Sequence, residues 1–281
     1  MTKTQTIKAA LAYSAALLNT EEATLEAQLM LQHVLNVNRA WLIAHENDAL
    51  ETNIHEVFET LLERRLNSEP IAYILGYREF YGMKLKVTSE TLIPRPDTET
   101  LVEAALAKIS PQEKSQILDL GTGTGAIALA IAKYRPQTLV TGVDASQAAL
   151  NIAIENAQNL NITNVYFELS DWFTALHGNT FDVIMSNPPY IETCDAHLKQ
   201  GDLRFEPISA LASGMDGLDD IRAIIAQAPQ YFNPAGWLLL EHGYNQASKV
   251  ADLLKQVGFS EISHIQDLAG IDRVTIGKMP N

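Results

Sequence analysis

The sequence predicts an α/β protein: a parallel sheet covered by helices, preceded by a small helical bundle and a β-hairpin linker. Three observations predict it. From about residue 96 onward, short apolar runs alternate with helical segments, the rhythm of repeated β-α-β units. Before residue 75, apolar residues recur instead at the spacing of amphipathic helices. Between the two, "MKLKV" alternates with a period of two near Gly76 and Gly82, as one arm of a hairpin does. The expected organisation is a helical bundle over 1–75, a hairpin linker over 76–95 and an α/β domain over 96–281.

Each element has a local cause. "TEEATLEAQLMLQHVL" offers Thr20 as N-cap and Glu21 and Glu22 in the first turn, followed by Leu25, Leu29 and the apolar residues of 31–35. "IHEVFETLLERRL" puts Ile54, Val57, Phe58, Leu61, Leu62 and Leu66 on one stripe, with acids and Arg64 and Arg65 opposite. In the second half, "QILDL", "LVTGVD", "NVYFEL", "FDVIM" and "GWLLLEHG" read as strands, "FDVIM" as a buried one. "AIALAIAKY" and "SQAALNIAIENAQNL" read as the helices between them. The tail "EISHIQDLAGIDRVTIGK" reads as two strands around a turn, with room for an antiparallel strand at the end of the sheet.

Composition narrows the function. A chain of 281 residues with 47% hydrophobic and 19% charged residues can bury one substantial core and a smaller second one. No apolar run approaches the roughly 20 residues of a membrane-spanning helix, so no membrane association is expected. The start carries Lys3 and Lys8, but Tyr13, Ser14, Glu21 and Glu22 interrupt its apolar stretch, so no signal peptide is expected. The single cysteine, Cys194, excludes an intrachain disulfide and a Cys-based metal site. The seven histidines lack metal-ligand spacing, and no metal is expected. A cytoplasmic location follows as an expectation. A net charge of −14 argues against stable non-specific binding to nucleic acid and favours a small-molecule or basic protein partner.

The first candidate site is "ILDLGTGTG", which sets Gly121, Gly123 and Gly125 in the turn leaving a strand. Glycines let the backbone approach a ligand closely, and the helix that follows presents free N–H groups. Asp144 ends the next strand, about 20 residues on, where an acid accepts from ribose hydroxyls; it could equally cap the helix that begins at "DASQ". "SDW" ends the third strand and offers Asp171 and the Trp172 ring at the place of a base, unless Trp172 is simply core. All lie at carboxyl ends of strands, where open α/β sheets bind ligands. A nucleoside-bearing cofactor is expected. The GxGxG spacing lacks the extra residue of the dinucleotide pattern and resembles S-adenosylmethionine-dependent methyltransferases, which places Asp119 near the methionine end.

The second candidate site is "NPPY", which ends the fourth strand. Methyl transfer to an amide or aromatic amine meets a nitrogen whose lone pair is delocalised. Its two N–H groups need acceptors. The Asn187 side-chain oxygen can be one, and the Pro188 carbonyl, stiffened by Pro189, the other. Tyr190 offers a flat face. No strong base is required, because positioning can supply up to about 7–11 kcal/mol. An unpaired acceptor costs about 1–3 kcal/mol, which selects against hydroxyl and carboxylate substrates.

Nearly the whole chain resembles the release factor glutamine methyltransferase family (PrmC/HemK type). The likeness lies in "PIAYILGYREFYG", "LIPRPDTE", "ILDLGTGTGAIALA", "GVDAS", "SDWF", "SNPPYI", "FEPISALASGMDGL" and "DLAGIDRVTIGK". These are more specific together than NPPY, which enzymes that methylate exocyclic amines of DNA bases share. The resemblance implies a Rossmann-like class I methyltransferase domain with a seven-stranded, mostly parallel sheet. It implies S-adenosyl-L-methionine as cofactor and S-adenosyl-L-homocysteine as product. It implies methylation of the side-chain amide nitrogen of the glutamine in the Gly-Gly-Gln motif of class-1 peptide chain release factors. Cofactor contacts then fall to Asp119, Gly121, Thr122, Gly123, Thr124, Gly125, Asp144, Asp171, Trp172 and Asn187. Catalysis falls to Asn187, Pro188 and Tyr190, and substrate binding to Asn187, Pro188, Pro189, Tyr190 and Arg95. Arg95 would hold either the methionine end or a loop. The helical bundle would grip the release factor, and a monomer is expected. Two other readings compete: an adenine or cytosine methyltransferase acting on nucleic acid, and a non-catalytic module that keeps the fold as a binding surface.

Overall fold

Thr6 opens the first helix, α1 (Ile7–Leu17), by accepting a hydrogen bond from the Ala9 amide at 3.2 Å. The structure, a computed structural model, describes residues 5–280; Lys3, weighed above as part of a leader, lies outside them. The chain divides into two units, Met1–Gly76 and Tyr77–Asn281.

The first unit is helical: α1, α2 (Ala23–Leu35), α3 (Arg39–Ala44), α4 (Thr52–Leu66) and α5 (Ile71–Leu75). Three expectations need correction. The Thr20 hydroxyl does not cap α2, which begins after Glu22; it donates to Glu26 Oε2 at 3.1 Å. Arg65 does not lie opposite the apolar stripe. Its Nε and Nη2 both donate to the Glu26 carboxylate at 3.0 Å, and the two side chains are only 10% and 8% exposed. A buried carboxylate needs a paired charge, and this demand outweighs the local pattern. The α4 stripe is also narrower than its spacing suggests. Phe58 and Leu62 are buried, while Val57 and Leu66 are exposed.

In the second unit β1 (Tyr77–Phe80) and β2 (Met83–Lys86) form the expected hairpin, with Phe80 opposite Met83. Tyr81 and Gly82 both take positive φ, 47° and 67°, as a two-residue hairpin turn requires. Phe80, Met83 and Leu85 are buried in this unit's core, so the segment read as a linker is packed into the α/β domain. A short 3-10 turn (Pro96–Thr98) leads into α6 (Glu99–Lys108). Then follow β3 (Gln116–Leu120), α7 (Ala126–Tyr134), β4 (Leu139–Asp144), α8 (Gln147–Asn159), β5 (Val165–Leu169) and β6 (Phe181–Ser186). Three further 3-10 turns carry the chain to α9 (Asp219–Gln227), β7 (Phe232–Glu241), α10 (Ala247–Val257), β8 (Ser260–Gln266) and β9 (Asp272–Lys278). Among the described residues no helix is long and apolar enough to cross a membrane.

The seven strands form one sheet in the order β5-β4-β3-β6-β7-β9-β8. Only β9 runs against the others. Successive residues point to opposite faces, and both faces are covered. Ile117, Val183, Met185 and Leu239 pack with α6 and α7 on one side. Leu118, Leu120, Ile184, Leu238 and Leu240 pack with α9 and α10 on the other. This is why the central strands β3 and β6 read as unbroken apolar runs; β5, at the edge of the sheet, is largely exposed, with Tyr166 and Leu169 open to solvent. Chain order reverses direction at β3, between β4 and β6, and the loops diverge there at the carboxyl edge.

Gly142, in β4, fixes how closely that edge packs. A Cβ there would stand 2.8 Å from the Phe167 ring and 2.9 Å from Thr122 Oγ1. Gly142→Ala is expected to cost about 1–3 kcal/mol, because neither the ring nor the glycine-rich turn has room to yield. Urea unfolding of the two proteins measures it, and equal midpoints would mean that the packing is looser than described.

Candidate active site

The turn after β3 is made of residues that adopt left-handed backbone easily. Gly121, Gly123 and Gly125 have φ of 69°, 55° and 80°. The three have different surroundings. A Cβ on Gly121 would touch the Trp172 ring at 3.4 Å, and one on Gly123 would meet open space. A Cβ on Gly125 would press on Leu129, Ala153 and Phe167 at 3.1–3.2 Å, so this glycine serves helix packing. Beneath the turn lies Asp119, fully buried. Its Oδ2 accepts from Thr122 Oγ1 at 2.6 Å and from the Ala128 amide at 3.1 Å. Its Oδ1 is buried with no partner among the described residues. Burial pushes this carboxyl up to about 7, against those two hydrogen bonds.

Asp144 faces the same turn. One oxygen accepts from the Gly123 amide and the other from the Ser146 amide, each at 2.9 Å. The side-chain cap of α8 is Ser146, which accepts from Ala149 at 3.2 Å. Asp144 therefore holds the glycine turn instead of capping the helix. Burial raises its carboxyl above the usual range, and the two amides oppose the rise. Trp172 takes a φ of 48°, uncommon for a bulky residue, in a turn that Ser170 closes by donating to the Trp172 carbonyl at 2.8 Å.

These residues wall a cavity of about 440 Å³. Of the residues singled out in the sequence, Gly121, Gly123, Asp144, Asp171, Trp172, Asn187 and Pro189 line it. Asp119, Thr122, Thr124, Gly125, Arg95, Pro188 and Tyr190 stand outside the lining. Thr122 and Thr124 are buried behind it.

The NPPY loop is clamped from three sides. Ser186 Oγ donates to the Leu120 carbonyl at 2.8 Å and ties the ends of β6 and β3. Asn187 Nδ2 donates to Thr98 Oγ1 at 3.1 Å, and no described residue donates to its Oδ1. The Tyr190 hydroxyl donates to Glu241 Oε1 at 3.4 Å, and the Tyr190 carbonyl accepts from Gln246 Nε2 at 3.1 Å. A Cβ on Gly217 would lie 2.2 Å from that carbonyl, so only glycine fits against the loop. Burial first, then the nearby Glu241 charge, raises the Tyr190 hydroxyl above its usual range and keeps it a donor. Glu241 itself is 1% exposed, and burial pushes it up to about 7, while Thr98, Arg273 and Tyr190 favour its charge.

Arg95 pairs with Glu206, whose Oε2 accepts from the Ile93 amide at 3.0 Å. Of the two roles left open for Arg95, the structure supports tethering: it ties its own segment to the loop whose Pro207, Ser209 and Ala210 line the cavity. The sequence reading missed Thr98, Glu206, Glu241 and Gln246. Two had a visible signal. Glu241 is an acid closing the apolar run "WLLLE", and Glu206 stands in the loop motif "FEPIS".

A family profile described as "Methyltransferase domain" matches residues 111–268, and one described as "PrmC N-terminal domain" matches residues 9–76. The chain is 48% identical over 255 residues to the release factor glutamine methyltransferase of Xylella fastidiosa, covering 91% of this chain and 93% of that one. It is 49% identical over 259 residues to the protein of the same name from Vibrio cholerae, covering 92% and 90%. Among solved structures, a methyltransferase from Pyrococcus furiosus shares the fold, with a TM-score of 0.55 at 18% identity over 79% of this chain and 100% of that one. The glycine turn, the acid at the end of β4 and the clamped Asn-Pro-Pro-Tyr loop all lie within the stretch that the methyltransferase profile matches, and the chain belongs to the release factor glutamine methyltransferase family.

Proposed function

We propose that this protein methylates the side-chain amide nitrogen of the glutamine in the Gly-Gly-Gln motif of class-1 peptide chain release factors, using S-adenosyl-L-methionine. The observation that carries the reading is Asn187. Its amide nitrogen is spent on Thr98, and its oxygen is left as an acceptor on the wall of the cavity that Gly121, Gly123 and Asp144 share.

The cavity fits the cofactor in three respects. Gly123 leaves open space where a side chain would stand, Asp144 brings a carboxylate to the wall, and Asp119 keeps a buried oxygen without a partner behind the turn. Gly121, Gly123, Asp144, Asp171 and Trp172 would hold the cofactor, with Asp119, Thr122, Thr124 and Gly125 shaping the turn. The group supplies a methyl on a positively charged sulfur when bound. The chain's own residues do the rest. Asn187 Oδ1 and the Pro188 carbonyl accept the two N–H groups of a primary amide and fix its plane. Tyr190 packs on that plane, and its hydroxyl stays anchored on Glu241. Arg95 steadies the wall through Glu206. A hydroxyl substrate would leave one acceptor unpaired, at a cost of about 1–3 kcal/mol. In this reading the protein works in the cytoplasm as a monomer. Its helical unit grips the release factor, and its net charge of −14 disfavours stable nucleic-acid binding.

A transfer assay with labelled S-adenosylmethionine tests the reading. It compares a release factor, the same factor with its Gly-Gly-Gln glutamine changed to Ala, and duplex DNA, with mass spectrometry to place the methyl. Label on the intact factor alone is expected; label on DNA would reassign the substrate, and bound cofactor without label anywhere would favour a binding module. Asn187→Ala should lower turnover by about 10²–10³-fold, the scale for removing one positioned partner of a reacting group, and change cofactor affinity far less. Near-normal turnover would refute the acceptor role. Asp144→Ala should weaken cofactor binding by up to about 3 kcal/mol. Titration calorimetry reads this directly, and an unchanged affinity would mean that Asp144 only braces the turn.

A further inference from the structure

Gln246 holds the cap position of α10, yet its side chain makes no capping bond. It is 5% exposed and reaches instead toward the end of the NPPY loop. Its Oε1 accepts from the Gly243 amide at 2.8 Å. Its Nε2 faces three backbone carbonyls, those of Tyr190 at 3.1 Å, Asp216 at 3.3 Å and Gly217 at 3.4 Å. The partners settle which way round the side-chain amide lies. A backbone N–H only donates and a carbonyl only accepts, so the oxygen must face Gly243 and the nitrogen the three carbonyls. A buried polar group engaged at both ends is held rigidly.

We infer that Gln246 is a positioning residue: by holding the Tyr190 carbonyl it sets where the Tyr190 ring stands beside Asn187 and the substrate amide. The inference rests on the reading of Tyr190 as the flat face for that amide. The chain beyond Tyr190 has its own support. Ile191 donates to the Leu211 carbonyl at 2.9 Å and accepts from the Ser213 amide at 2.8 Å, and Thr193 donates to the Gly214 carbonyl at 2.9 Å. The Tyr190 carbonyl comes one residue before that ladder, and Gln246 takes it. At the other end of the same residue the hydroxyl rests on Glu241 at 3.4 Å. That bond is long, and a ring held only there could swing about it. With the backbone fixed as well, the ring has one place.

Two glycines make room for this side chain. A Cβ on Gly217 would run into the Tyr190 carbonyl and stand 2.7 Å from Gln246 Nε2. Gly217 also takes a φ of 72°, which side chains disfavour. A Cβ on Gly243 would stand 3.1 Å from Gln246 Oε1. Both ends of the Gln246 amide are thus met by backbone that carries no side chain. The site is specific for glutamine. Asparagine is one methylene too short to keep both ends, and glutamate would set a carboxylate against three carbonyl oxygens. None of Tyr190, Asp216, Gly217, Gly243 and Gln246 lines the cavity. The role of Gln246 therefore concerns the substrate amide and not the cofactor.

The test measures kcat and KM on a release factor, with cofactor affinity followed by calorimetry. It compares wild type, Gln246→Met, Gln246→Glu, Tyr190→Ala and the double variant that joins Tyr190→Ala to Gln246→Met. Gln246→Met keeps the length of the side chain and removes both hydrogen-bonding ends. It should lower kcat about tenfold to a hundredfold, the range for small misplacement of a reacting group, and leave cofactor affinity unchanged. Gln246→Glu keeps the acceptor for Gly243 and loses only the donors, and its kcat should fall as far. In the Tyr190→Ala background Gln246→Met should cost about twofold at most, because no ring is left to place. A glutamine that only braces the fold would lower kcat alike in both backgrounds. That result, or wild-type kcat in either Gln246 variant, would overturn the inference. If Gln246→Met does not fold, Gln246→Glu takes its place in the double variant. A wild type that methylates no release factor would overturn the parent reading and this inference with it; an active wild type separates the two.

Discussion

A parallel sheet delivers its loops to one edge with backbone amides unsatisfied, and in this protein buried carboxylates take them. Asp119 accepts from Ala128, Asp144 from Gly123 and Ser146, and Glu206 from Ile93. All but the Asp144–Ser146 bond, which is local, join the end of a strand or loop to another segment. The cavity walls are therefore placed by charge and hydrogen bonding more than by apolar contact. Glu241 differs in taking no backbone amide among the described bonds, accepting instead from the Tyr190 hydroxyl. Remove these acids and the sheet would keep its two apolar faces, but its loops would be held only by ties such as Ser186 to Leu120 and Gln246 to Tyr190.

Such an edge carries a cost. Burial raises Asp119, Asp144, Glu206 and Glu241 above the ordinary carboxylate range. A folded state that holds its protons more tightly than the unfolded chain loses stability as pH rises. For Asp119 and Glu241 that loss runs from the ordinary carboxylate range up to about 7 and is complete above it. Residues that destabilise the fold under the conditions where they are charged are those a functional site retains. Glu206 offsets part of this cost by pairing with Arg95, as Glu26 does with Arg65 in the helical unit.

The strands were legible because burial on both faces writes them as apolar runs, and the glycine turn because left-handed backbone selects glycine. Asn187 was singled out because the chemistry of an amide calls for acceptors, and the structure sets it on the cavity wall. What escaped the sequence has one cause in common. The partner of Thr20 is Glu26, on whose carboxylate Arg65 also converges, and the partner of Thr98 is Asn187. Arg65 lies 39 positions from Glu26, and Thr98 lies 89 from Asn187. Local periodicity assigns each polar residue to a cap or a solvated face. Only the folded chain shows that a distant acid or amide outbids the local role. Val57 and Leu66 make the same point from the apolar side, because a stripe on α4 is buried only as far as neighbouring helices reach.

The strand order has a consequence for synthesis. β9 slots between β7 and β8, although both precede it in the chain. A nascent chain that lacks residues 272–278 leaves β7 as an open edge, and β8 has no strand to pair with. Arg273, whose charge favours an ionised Glu241, arrives with that same strand. Closure of the sheet therefore waits for residues 272–278. Until they are available, the open edges of β7 and β8 are exposed to edge-to-edge association.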